Sequence, residues 1–194
     1  MLLSLTWLCR DPGWEPLIAF IIALGVHIGW DGWNTFHVIS THDQSLIAKF
    51  RQLIPHDSRT IPFLRDADWA IPFNYDRIEP LFRIHDEWKS ADYEFDNKSL
   101  KNTWNKFRES NDALITLATQ ATFPHDGNPN LVTMDFSDCN NPPEKIAERN
   151  ALNDRSSHVY MCYEDLVRLI RRLQWRAEQA GPGYPPQGVG SPDP

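Results

Sequence analysis

Apolar residues recur at helical spacing along most of the chain, in stretches separated by Pro, Gly, Asn and Asp. Leu46, Ile47, Phe50, Leu53 and Ile54 form an i, i+1, i+4, i+7, i+8 stripe behind Asp43, a capping residue type, and Pro55 to Ser58 ends that helix. Thr60 opens a further turn with Ile61, Phe63 and Leu64. Trp69, Ile71 and Phe73 have no helical period and read as an extended plug over the open end of a bundle. Asp76 is placed to cap a helix that carries Ile78, Leu81, Phe82, His85 and Trp88 on one face, with Pro80 tolerated in its first turn. From a cap at Asp96, the residues Leu100, Trp104, Phe107, Asn111, Leu114, Ala118 and Ala121 make the most regular stripe of the chain. The breakers from Phe123 to Asn130 predict a loop that continues to Asn141, with at most a short extended piece at Leu131 to Met134. A last helix starts at Pro142 or Pro143 and presents Ile146, Asn150, Asn153, Ser157, Tyr160, Tyr163, Val167, Ile170 and Gln174. No heptad persists for the three or four turns that a coiled coil requires, and no internal repeat is visible.

These elements predict an all-α fold, an antiparallel helical bundle over residues 41–179 in which the two long helices pack about one loop. Both of their stripes are interrupted near the middle by amides, Asn111 on one and Asn150 and Asn153 on the other. Antiparallel pairing about Thr133 predicts a buried polar layer that fixes register, because an unpartnered buried amide costs roughly 1–3 kcal/mol. A polar ligand held between the helices is the other use of such a layer. Residues 180–194, rich in Gly and Pro and poor in aliphatic residues, are expected to be disordered.

The pattern changes at the N-terminus. Between Glu15 and Asp31 lies an uncharged run, Pro16 to Trp30, with Leu17, Ile18, Phe20, Ile21, Ile22 and Leu24 on all sides of a helix. Its fifteen residues would rise about 22 Å against roughly 30 Å of bilayer hydrocarbon, but Trp14, Trp30 and Trp33 extend it with rings suited to the headgroup level. Residues 1–36 therefore read as a single membrane anchor, with Trp14, Pro16, Phe20, Ile22 and Trp30 as its marks, and a buried core helix or an export signal as the alternatives.

Composition narrows the classes. The 194 residues are 41% hydrophobic and 12% aromatic, enough for a core, and the net charge of −7 argues against a nucleic-acid protein, which needs a basic face. Arg168, Arg171, Arg172 and Arg176 make the one basic cluster, either a complement to the helix dipole or a contact for anionic lipid or an acidic partner. Cys9, Cys139 and Cys162 have no metal spacing and cannot all pair, which favours a reducing compartment. The expected location is the inner membrane with the bundle facing the cytosol.

Candidate chemistry is sparse. The dipeptides His42-Asp43, His56-Asp57, His85-Asp86 and His125-Asp126 resemble elements of the metal-dependent HD-domain phosphohydrolases, whose pattern needs a further His and a distant Asp converging on one metal. Here two of the pairs sit in turn sequences and one at a helix start, so they read as punctuation. Phosphate-cradling loops, nucleophile elbows and Cys-x-x-Cys motifs are not found, and no catalytic residue, metal site or cofactor is assigned. The opening Asp11-Pro-Gly-Trp-Glu-Pro-Leu-Ile-Ala-Phe20, followed by a helical domain, resembles uncharacterised bacterial proteins with a small helical domain behind an apolar segment, a likeness that implies no activity. The expected function is a membrane-tethered, non-catalytic helical module that binds a partner protein or couples it to the bilayer, as an accessory or effector in bacterial stress or defence. The alternative is a soluble helical metal-dependent hydrolase using His85-Asp86 with His42 or His125.

Overall fold

Ser40 caps the first helix of the computed structural model, which describes residues 39–125, 127–134 and 142–179, all within a unit that starts at Ile39. In chain order the described elements are α1 (Thr41–Leu53), α2 (Thr60–Asp66), β1 (Phe73–Asn74), a 3-10 turn (Tyr75–Arg77), α3 (Glu79–Glu87), a second 3-10 turn (Ala91–Tyr93), α4 (Lys98–Ala121), β2 (Thr122–His125), β3 (Asn128–Met134) and α5 (Pro143–Gln179). The fold is mostly helical, as expected, with a small three-stranded antiparallel sheet that the all-α expectation did not include.

The helix starts differ from those read in the sequence. Ser40, not Asp43, caps α1, its Oγ accepting from the Asp43 backbone N–H at 3.0 Å. Asn97, one residue past Asp96, caps α4 by accepting from the N–H groups of Ser99 and Leu100. Asp76 lies in the first 3-10 turn, and α3 starts at Glu79 with Pro80 in its first turn and no side-chain cap, because Ile78 occupies the N-cap position.

Packing explains the order of elements. Along α4 the predicted stripe is buried at every position, from Leu100 to Ala121, joined by Ile115. The buried face of α5 is Leu152, Ser156, Val159, Tyr163, Leu166, Ile170 and Leu173, shared with the expected face only at Tyr163 and Ile170. These positions alternate at four- and three-residue intervals over more than twenty residues, so a heptad seam does persist, hidden in the sequence by the polar Ser156. Ser110 bonds His158 at 2.8 Å, and Ser99 shares a groove with Leu169 and Arg172, so α4 and α5 run antiparallel. The Phe50 ring of α1 lies at the centre of the core, 5.7 Å from Trp104, 5.8 Å from Phe107, 6.0 Å from Tyr163 and 6.3 Å from Trp88, mostly edge to face.

The short extended piece expected at Leu131 to Met134 is the end of β3, and the sheet built around it takes in residues expected to be loop. α4 runs into β2, which pairs with β3 in the register Thr122 with Met134 and Phe123 with Thr133, and Gly127 completes the turn at φ 70°. On the other edge of β3, Phe73 pairs with Val132 and Asn74 with Leu131. The pairing is possible because Pro124 occupies an edge strand, where its missing N–H removes no bond from the centre of the sheet. The plug between α2 and β1 is half as expected. Trp69 and Phe73 are buried and meet Phe63 in one cluster of edge-on and tilted rings, whereas Ile71 is exposed.

Candidate interaction surfaces

Trp69 decides the shape of the first candidate surface. It is fully buried, and its indole N–H donates to Ser156 Oγ of α5 at 2.8 Å, while its backbone N–H donates to Asn153 Oδ1 at 3.3 Å. With Trp69 anchored inward, the chain reverses around it, leaving Ile71 61% exposed. Between α2 and β1 this opens a cleft of about 460 Å³, with Phe63 and Phe73 as its floor, Pro62, Ile71 and Pro72 on its sides, and Arg59, Asp66, Asp68 and Arg77 at its rim. Arg65 donates to Asp66 at 2.8 Å, and that hydrogen bond holds the exposed Asp66 carboxyl below its ordinary value. Arg59 lies 3.4 Å from Asp76. Such a cleft suits an apolar side chain within a polar rim, and none of its lining residues is a nucleophile held by a base.

The second surface is the outer face of α5. Arg168, Arg171, Arg172 and Arg176 are all exposed, as a solvated helix end requires. Arg168 pairs with Glu164 at 3.4 Å and Asp165 at 3.7 Å, and Arg172 Nε donates to the Arg168 carbonyl at 3.4 Å. Trp175 was not among the residues singled out from the sequence, yet it lies one turn from Arg171 and Arg172 and is 62% exposed. The signal that could have found it is a lone Trp within a run of arginines. Arg51 of α1 reaches this region too, donating to Gln174 Oε1 at 2.9 Å.

The amide layer is corrected. Asn111 is fully buried, but its Nδ2 donates to the Leu81 carbonyl of α3 at 2.9 Å, while Oδ1 is buried without a partner among the described residues. Asn153 is half-buried and turned to Trp69, and Asn150 is exposed. The reason is rotational: the seam of α5 passes through Leu152 and Ser156, so Asn150 and Asn153 lie off it.

Instead the buried carboxylate among the described residues is Asp43, 0% exposed, which accepts from the backbone N–H groups of Asp96 at 2.8 Å and Asn97 at 3.1 Å. Ser40 Oγ in turn donates to Asp96 Oδ2 at 2.7 Å. The start of α1 is thereby tied to the start of α4.

The His-Asp pairs do not converge. His42 Nε2 donates to the Glu94 carbonyl at 3.1 Å, His56 and Asp57 are exposed in the turn after α1, and His85 Nδ1 donates to Asp112 Oδ1 at 2.7 Å, leaving its neighbour Asp86 exposed. His125 ends β2, and Asp126 is outside the described residues. Among the described residues no three His, Cys, Asp or Glu side chains are placed to hold a metal. Cys162 is half-buried, and burial raises its thiol above the ordinary value although a hydrogen bond with Ser110 opposes this.

Trp14, Pro16, Phe20, Ile22 and Trp30 lie outside the described residues, as do Cys9, Cys139 and the expected tail. Among the described residues no helix is long and apolar enough to cross a membrane. No protein-family model, curated protein or solved structure matches the chain.

Proposed function

We propose that the chain is a membrane-tethered, non-catalytic helical module that holds a partner protein close to the bilayer. The observation that carries this reading is the cleft beside Ile71, an apolar side chain left in water next to the aromatic residues Phe63 and Phe73. Exposed apolar surface with a polar rim is the anatomy of a contact for another protein. The tether is the uncharged run from Pro16 to Trp30, and the free Cys162 suits a bundle on the cytosolic side of an inner membrane. The likeness to bacterial proteins with a helical domain behind an apolar segment agrees with this arrangement.

A photoreactive amino acid at Ile71 in the full chain, expressed in cells, tests both halves. The expected result is a chain retained in the membrane pellet after alkaline carbonate extraction, with one defined protein adduct that Phe63→Ser abolishes. A chain released by carbonate counts against the tether, and the absence of any adduct from Ile71 counts against the partner surface.

A further inference from the structure

The geometry points to a second contact: the outer face of the last turns of α5 rests on an anionic lipid surface. Arg168, Arg171, Arg172 and Trp175 fall at i, i+3, i+4 and i+7, which places them on one face of the helix over about 10 Å. Trp175 is 62% exposed, unusual for the largest apolar side chain unless its ring has a half-wet environment to enter. The arginines around it supply donors for phosphate, and their stems cover apolar surface while the guanidinium groups stay in the headgroup layer. Charge complementarity selects the occupant. In a chain of net charge −7, Arg168 on this face is already paired with Glu164 and Asp165, whereas Arg171 and Arg172 beside Trp175 have no carboxylate partner among the described residues, the next carboxylate being Glu178 one turn beyond Trp175.

Position favours lipid over a protein. Ser40, where the chain joins the bundle, bonds Asp96 just ahead of α4, and Ser99 at the start of α4 shares a groove with Leu169 and Arg172. The N-terminal connection and the Arg-Trp face are thus at the same end of the bundle. The inference rests on the proposed tether, which would keep the bundle within reach of the headgroups.

The test uses the full chain reconstituted in vesicles of phosphatidylcholine alone or with phosphatidylglycerol, carrying the photoreactive residue benzoylphenylalanine at Trp175 or, in a second protein, at Met161. Met161 is exposed on the same helix about 21 Å back from Trp175. The expected result is a lipid adduct at 175 that depends on phosphatidylglycerol, is absent at 161, fades between low and high salt, and drops about tenfold in the Arg171→Glu, Arg172→Glu double variant. An adduct of equal yield in neutral vesicles, an adduct to a second protein chain, or no adduct at 175 overturns the inference. Carbonate resistance of the same vesicles reads the tether separately, so a chain that stays bound without a lipid adduct at 175 refutes this contact and leaves the tether standing.

Discussion

Replacing Asp43 with Ala should destabilise the bundle more than any exposed substitution, although the side chain lost is small and polar. The carboxylate accepts two backbone N–H bonds, 2.8 Å from Asp96 and 3.1 Å from Asn97, at a site without solvent. Hydrogen bonds to a charged acceptor contribute about 1.5–3 kcal/mol each, and a buried N–H left without a partner costs about 1–3 kcal/mol. Removing the buried charge returns part of this by relieving its desolvation, so the net loss should be about 2–4 kcal/mol, or roughly 10 °C in Tm for a domain of this size. Asp43→Asn keeps one acceptor oxygen but turns an N–H toward a backbone donor, and should lose about half as much. Urea unfolding of the full chain followed by circular dichroism at 222 nm measures both, with the exposed Asp57→Ala as a control within about 0.5 kcal/mol of the parent. If Asp43→Ala also falls within that range, with an unchanged slope, the tie between α1 and α4 is not a stabilising contact and the reasoning fails.

Asn111→Leu should be neutral or more stable by about 1 kcal/mol in the same assay, because it removes the orphaned Oδ1 at the expense of one bond to the Leu81 carbonyl; a loss above about 2 kcal/mol would show that the amide has a further partner. Gly127→Ala meets nothing within 4 Å, so its effect is backbone strain alone at φ +70°, about 1 kcal/mol, and Gly127→Asn should recover most of it; equal Tm values for Ala and Asn would remove the turn from the argument. Burial raises both Cys162 and Tyr163, so the unfolded chain ionises first and alkali favours it: stability should hold up to about pH 9.0, the ordinary thiol value, and decline above it. Urea midpoints between pH 7 and pH 10 measure this, and an alkaline limb unchanged by a Tyr163→Phe, Cys162→Ser double variant would assign it elsewhere.

Residues on a single element with one dominant stripe were legible in the chain. Each expected position of α4 from Leu100 to Ala121 is buried, since over so many turns only one face of that helix is apolar, with Asn111 as its single polar interruption. In α5 two rotations share Tyr163 and Ile170, one through Asn153 and Ser157 and one through Leu152 and Ser156, and the second, apolar but for Ser156 from Leu152 to Leu173, was there to be read. What only the tertiary structure shows is why a serine is tolerated in that seam: the buried Trp69 indole needs an acceptor, and Ser156 supplies it from a residue 87 positions later. Strand β1 is likewise invisible locally: Phe73 becomes a strand residue only when Val132 is brought beside it, and two residues have no stability as a strand without that partner. Asp43 looked like a cap because an Asp ahead of an apolar stripe usually is one; it becomes a buried acceptor only when the start of α4 arrives with two unpaired N–H groups. Periodicity within a helix is a property of neighbouring residues and can be read from them. Which polar group satisfies which orphaned donor depends on what the fold brings within 3 Å, and only the tertiary structure decides that.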